Sequence, residues 1–167
     1  MHMKRNIWIV VLSTLLTACG DPYVRDSTPP LHMQVKAGDM VVVNKAITIP
    51  PYRTSLKFQF AEIADDALVT TSNRKYEAVC SLKLSKRQHK PYVVSPQDIK
   101  IKSVKSYEDI LSVNNKYVGV YIYLASEKHP ELTRIDCSDF TDAYEDHYFT
   151  VGLFEQSFGD YLSIKGQ

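Results

Sequence analysis

Residues 117–124 read Tyr-Val-Gly-Val-Tyr-Ile-Tyr-Leu, and this alternation constrains the fold more than any other feature of the chain. A period of two puts Val118, Val120, Ile122 and Leu124 on one face of a strand and Tyr117, Tyr121 and Tyr123 on the other. Such a strand is apolar on both sides, so it belongs in the middle of a sheet with its second face covered. The segment 150–158 is the expected cover for the tyrosines. The alternative is an exposed tyrosine ladder that binds peptide, glycan or a partner protein, since tyrosine is enriched at interfaces.

Other segments repeat the pattern. Leu56, Phe58 and Phe60 alternate with Lys57 and Gln59, and Ala78, Cys80, Leu82 and Leu84 alternate with Glu77, Val79, Ser81 and Lys83. Ile99 and Ile101 alternate with Lys100 and Lys102, and the alternation slips near Ser103-Val104, where a bulge is expected. Met40–Val43 and Ala46–Ile49 are β-branched runs joined by Asn44-Lys45, which predicts a hairpin stopped by Pro50-Pro51. Thr133–Cys137 is a shorter strand. Thr150 is placed to cap a short helix running to Phe158, with Gly159 just past its end and Val151, Phe154 and Phe158 on one face. A last strand is expected over Tyr161–Ile164. The predicted class is mainly β: an antiparallel β-sandwich or partly open barrel of about six or seven strands with one short C-terminal helix.

The N-terminal segment has a basic start (Lys4, Arg5), an apolar run of ten residues from Ile7 to Leu16, and then Leu16-Thr17-Ala18-Cys19-Gly20. This is the three-zone layout of a secretory signal peptide, and the run is half the ~20 residues a membrane-spanning helix needs. Leu16-Thr17-Ala18-Cys19 resembles the lipobox of bacterial lipoproteins. The resemblance implies lipid attachment at Cys19, cleavage before it, and two or three acyl chains, enough for stable anchoring where one is marginal. With Gly20 rather than an aspartate after the cysteine, it further implies the periplasmic face of the outer membrane, the inner membrane being the alternative. The expected organisation is a signal peptide over 1–18, a lipidated N-terminus and proline-bearing tether over 19–33, and one β-rich periplasmic domain over 34–167. In overall layout the chain resembles the small uncharacterised envelope lipoproteins of Gram-negative bacteria.

With Cys19 committed to lipid, Cys80 and Cys137 remain, both on strand faces pointing to the core. In an oxidising periplasm the pair is expected to form a disulfide; two buried free thiols and a redox or metal role are the alternatives. The single tryptophan, Trp8, lies in the signal segment, so the core tryptophan of an immunoglobulin domain is missing.

The net charge of +1 becomes −1 once Lys4 and Arg5 are lost, which argues against a dedicated nucleic-acid binder. It also hides an asymmetry. Residues 83–105 carry seven basic residues against Asp98, a net of +6, and residues 127–160 carry nine acidic against Lys128 and Arg134, a net of −7. Strand faces paired across a sheet are the simplest account; a basic hairpin meeting anionic headgroups or an acidic partner is the other. Catalytic signatures such as Gly-x-Ser-x-Gly, His-Glu-x-x-His and Ser-x-x-Lys are missing. Asp136, Asp139, Asp142, Glu145, Asp146 and His147 are dense enough in donors for a divalent ion, but their spacing fits no EF-hand and a solvated acidic loop is the expectation.

These readings lead to a non-enzymatic, lipid-anchored envelope protein that uses no cofactor or metal, with the membrane and an envelope protein as partners. Tyr117, Tyr121, Tyr123, Lys100 and Lys102 are the candidate partner-binding residues. The alternatives are a lysozyme-inhibitor-like lipoprotein, which lacks its usual Ser-Gly-x-x-Tyr loop here, and a metal-dependent envelope hydrolase built on the acidic cluster.

Overall fold

The computed structural model describes residues 29–64 and 76–166; the expected signal peptide, the lipobox-like segment with Cys19, and the expected tether as far as residue 28 lie outside them. In chain order the elements are α1 (Leu31–Gln34), β1 (Met40–Val43), β2 (Ile47–Ile49), β3 (Ser55–Gln59), β4 (Glu62–Ala64) and β5 (Val79–Leu84). They continue with β6 (Tyr92–Val94), β7 (Gln97–Ile110), β8 (Asn115–Ala125), β9 (Leu132–Asp142), α2 (Val151–Phe158) and β10 (Leu162–Lys165). The fold is mainly β, as expected, and of the two predicted architectures it is the open one. Eight strands in the order β10-β1-β7-β8-β9-β5-β3-β4 form an antiparallel half-barrel, and β2 and β6 pair separately.

The Tyr117–Leu124 alternation is central, within β8 between its two longest neighbours, β7 and β9. Val118, Val120, Ile122 and Leu124 are buried on the inner face with Ile99 and Ile101 of β7 and Ile135 of β9. The β7–β8 register slips between Ile101 and Ser103, so the predicted bulge is present. Beyond it the two strands run on to Ile110↔Lys116, far past the segments their apolar pattern marks, because the outer half of β7 is polar.

The helix α2 plugs the half-barrel. Thr150 Oγ1 accepts the Leu153 N–H at 3.3 Å, the predicted N-cap. The Phe154 and Phe158 rings pack 4.8 Å apart, and Phe158 lies 4.9 Å from Phe58 of β3. Phe58 also lies 5.2 Å from Tyr161, just ahead of β10. Strands near opposite ends of the sheet thus close on one helix, and burying each phenylalanine stabilises that closure by roughly 1.5–3 kcal/mol. The Ala61 N–H reaches the Gln156 and Ser157 carbonyls at 3.0 and 3.1 Å, taking up acceptors at the helix end. Gly159 turns away there at φ 52°, and a Cβ on it would stand 2.3 Å from that of Ala61.

Three expectations need correction. Met40–Val43 and Ala46–Ile49 do not form a hairpin: β1 lies between β10 and β7, while β2 pairs with β6. Asn44, predicted as the turn, donates its N–H to Tyr161 O at 2.9 Å and its side-chain amide to Ser163 Oγ at 3.2 Å, which ties the chain to β10 instead. The α2 helix does not cover the tyrosines; it lies on the aliphatic face, because its Phe158 packs on Phe58 of that same face. The folded body also begins before residue 34, since Leu31 is fully buried and its N–H donates to Phe149 O at 2.8 Å.

Candidate interaction face

On β5 and β9, Cys80 and Cys137 sit directly opposite each other and are joined as a disulfide, both fully buried against the inner core. The bridge ties two neighbouring strands across the centre of the sheet. It therefore holds the platform from which the outer face projects.

On that outer face Tyr121 and Tyr123 of β8 are half-buried. Gly119 breaks the tyrosine row, and the gap is filled from the neighbouring strand. The Tyr107 ring of β7 lies across Gly119 and stacks on Tyr121 with centroids 4.4 Å apart and planes at 16°. A Cβ at Gly119 would stand 2.3 Å from Cys137 O and 2.6 Å from the Tyr107 ring, so this stack requires glycine there. Burial and the neighbouring Tyr121 push the Tyr107 hydroxyl up to about 12.

Cations flank the stack. The Arg134 guanidinium of β9 lies 4.9 Å from the Tyr121 centroid and Lys105 Nζ 5.8 Å from that of Tyr123. Arg134 Nη2 donates to Asp136 Oδ2 at 3.2 Å, while Nε meets Oδ1 at 2.6 Å as an ion pair without hydrogen-bond alignment. Asp136 holds the guanidinium pKa above its usual value and also lies 3.8 Å from Lys83 Nζ. Here the oppositely charged segments do meet. Lys83 with Asp136 and Lys86 with Glu131 pair basic 83–105 with acidic 127–160.

Lys100 and Lys102 are not drawn into that pairing. Among the described residues neither they nor Lys105 lies within ion-pair distance of a carboxylate. Together with Tyr123, Lys100 and Lys102 line an open cleft of about 970 Å³ whose other walls include Met40, Asp98, Glu127, Lys128 and Thr133. The cleft lies at the base of the β7–β8 hairpin. Beside it the Tyr92 hydroxyl meets His129 Nδ1 at 3.2 Å, and Glu131 accepts from Ser85 Oγ and pairs with Lys86 at 3.0 Å. Burial, with Lys128 adding to it, lowers the His129 pKa; the Ser85 and Lys86 hydrogen bonds lower that of Glu131.

Of the five candidate residues the cleft thus gathers Lys100, Lys102 and Tyr123, with Tyr121 next along the strand. Tyr117 is separate: it packs edge-on to Phe140 at 5.5 Å, toward the other end of β8. Tyr107 and Arg134 were missed by sequence reasoning. The one signal pointing to Tyr107 was Gly119 inside the strongest strand, since glycine in a strand marks close approach by another group.

The acidic cluster does not converge. Asp136 faces outward beside Arg134, Asp139 bonds His147 at 2.7 Å, Glu145 accepts from Thr141 at 3.1 Å, and Asp142 accepts the Tyr144 N–H at 3.0 Å. Among the described residues no three His, Cys, Asp or Glu side chains are grouped to hold a metal ion. The outer face is instead a strip of alternating rings and cations suited to holding an acidic or ring-bearing surface. Compared with known proteins, the chain matches no family model, no curated sequence and no solved structure.

Proposed function

We propose that this chain is a lipid-anchored cell-envelope protein, held at the periplasmic face of the outer membrane through Cys19, whose β domain binds an envelope protein by its outer face. The observation that carries the binding reading is the patch formed by Lys100, Lys102 and Tyr123, where two lysines with no carboxylate partner among the described residues line an open cleft together with an aromatic ring. A cation without such a partner is available to a ligand, whereas Lys83 and Lys86 are already engaged. The complementary partner surface is acidic and carries groups that pack on tyrosine. Leu16-Thr17-Ala18-Cys19 supports the anchor, and the Cys80–Cys137 pair agrees with an oxidising compartment.

Crosslinking of the full-length protein in intact cells, followed by purification from envelope membranes, tests this reading. The expected result is recovery of one defined partner that Lys100→Glu/Lys102→Glu loses without a change in thermal unfolding, since surface substitutions usually stay within about 0.5 kcal/mol. Recovery of no partner, alongside hydrolytic turnover by the purified protein, overturns it.

A further inference from the structure

We infer that the tip of the β7–β8 hairpin is a second membrane contact, seated in zwitterionic phospholipid; this rests on the anchor reading above. Ile110 is 77% exposed, Leu111 52% and Val113 78%, three apolar side chains within one turn. The Ala143 N–H donates to Asn114 O at 2.9 Å, which brings the loop bearing Tyr144, itself 77% exposed, against the same turn. A contiguous group of this kind marks an interaction site, whereas scattered apolar residues do not.

The position of the N-terminal segment identifies the occupant. Pro30 bridges Thr150 and Leu31 donates to Phe149 O, so the chain arrives at the far end of the 143–149 loop that touches the hairpin tip. Only nine residues lie between Cys19 and Pro29, so the reach is at most ~35 Å. An acylated Cys19 therefore keeps the domain close enough to the bilayer for the tip to reach it. Seating the tip in the bilayer turns the opposite end of the ladder, with Lys100 and Lys102, away from it. Exposed Ile, Leu and Val with a neighbouring tyrosine suit the interfacial zone, where an amphipathic ring sits at headgroup depth. The charges on the ladder and loop next to the tip are Glu108, Asp109, Asp142 and Glu145, and Lys116 lies 3.7 Å from Glu108. This carboxylate collar is repelled by anionic headgroups, which is why the lipid is assigned as zwitterionic.

A tryptophan reporter tests the inference, because Trp8 lies in the signal segment and the processed chain has no other. Val113→Trp and, at the opposite end, Val93→Trp are placed in the full-length protein, purified from membranes and reconstituted in phosphatidylcholine–phosphatidylethanolamine vesicles; Leu111→Trp repeats the measurement should Val113→Trp not fold. The expected result is a blue-shifted emission from the Val113→Trp protein that brominated acyl chains quench, with neither effect in the Val93→Trp protein. Adding phosphatidylglycerol at low ionic strength should weaken both the shift and the quenching. Mass analysis of the N-terminal peptide runs in parallel. An acylated Cys19 with the tip reporter as water-exposed as the reporter at the opposite end overturns the tip contact and leaves the anchor standing. An unacylated Cys19 overturns the anchor and the orientation with it. A blue shift that needs no lipid and grows with protein concentration assigns the tip to a second copy and overturns the inference.

Discussion

The two ends of the β7–β8 hairpin share one ladder and differ in almost everything they offer to solvent. At the base, Tyr92 and His129 meet ring to ring, Ser85 and Lys86 hold Glu131, and Lys100 and Lys102 stand open at a cleft. At the tip, Ile110, Leu111 and Val113 project at and beyond the last ladder pair, and a backbone bond from Ala143 braces the turn. Backbone pairing is indifferent to side chains, so one continuous ladder can carry an end braced by polar side-chain pairs and an end of exposed apolar side chains held by the hydrogen bonds of its own turn. Between them, Tyr107 on Gly119 stiffens the middle and keeps the two ends at a fixed spacing.

The largest expected change lowers both ends together. In Cys80→Ala/Cys137→Ala, opening a bridge between residues 57 apart in sequence should cost about 4 kcal/mol on the chain-entropy account. Urea unfolding measures it, and a variant as stable as the parent would show that the bridge contributes nothing to the frame. A smaller effect should separate the ends. Gly119→Ala forces a Cβ into Cys137 O and the Tyr107 ring, an overpacking that costs roughly 1–3 kcal/mol. Amide exchange should then quicken from the middle of the hairpin to the tip and stay slow at the base. Adding Tyr107→Ala should recover only part of the loss, because the carbonyl clash remains; full recovery would reassign the cost to the ring alone.

The smallest effects are in the pH dependence. A His129 pKa below its ordinary 6.5 means the unfolded chain binds more protons at mildly acid pH, so stability falls as pH drops through 6.5. Glu131 acts further down: its lowered pKa contributes stability above its ordinary 4.5 that is lost on further acidification. Tyr107 acts at the other extreme, losing stability as pH rises from 10 toward about 12. Unfolding curves of the parent against His129→Gln and Tyr107→Phe should lose the mild-acid and the alkaline slope, respectively. An unchanged mild-acid slope in His129→Gln would remove His129 from the bracing of the base.

Much of the fold was legible because its signals are local. Val118, Val120, Ile122 and Leu124 share a face by the pleat alone, the slip at Ser103 is visible as a break in alternation, and Thr150 and Gly159 bound α2 by their own chemistry. Short strands were not: Glu62–Ala64 and Tyr92–Val94 are three residues each, too few to show a period. The hairpin predicted at Asn44-Lys45 failed because a β-branched run says nothing about its partner, and β1 found two elsewhere. At the candidate face, tyrosine and lysine positions could be read on their strands, but Tyr107 and Arg134 reach Tyr121 only across strand pairs.

By itself, then, the sequence determined the mainly-β class, the alternating faces, the capped helix and the facing of Cys80 and Cys137 toward one core. Each depends on side chains a few residues apart and on the geometry of a single strand or helix. Only the tertiary structure decided the strand order, the placement of α2 on the aliphatic face rather than on the tyrosines, the scattering of the acidic cluster, and the pairing of some lysines but not Lys100 and Lys102. These depend on contacts between distant segments, where registry and packing volume choose among partners that local pattern leaves equivalent.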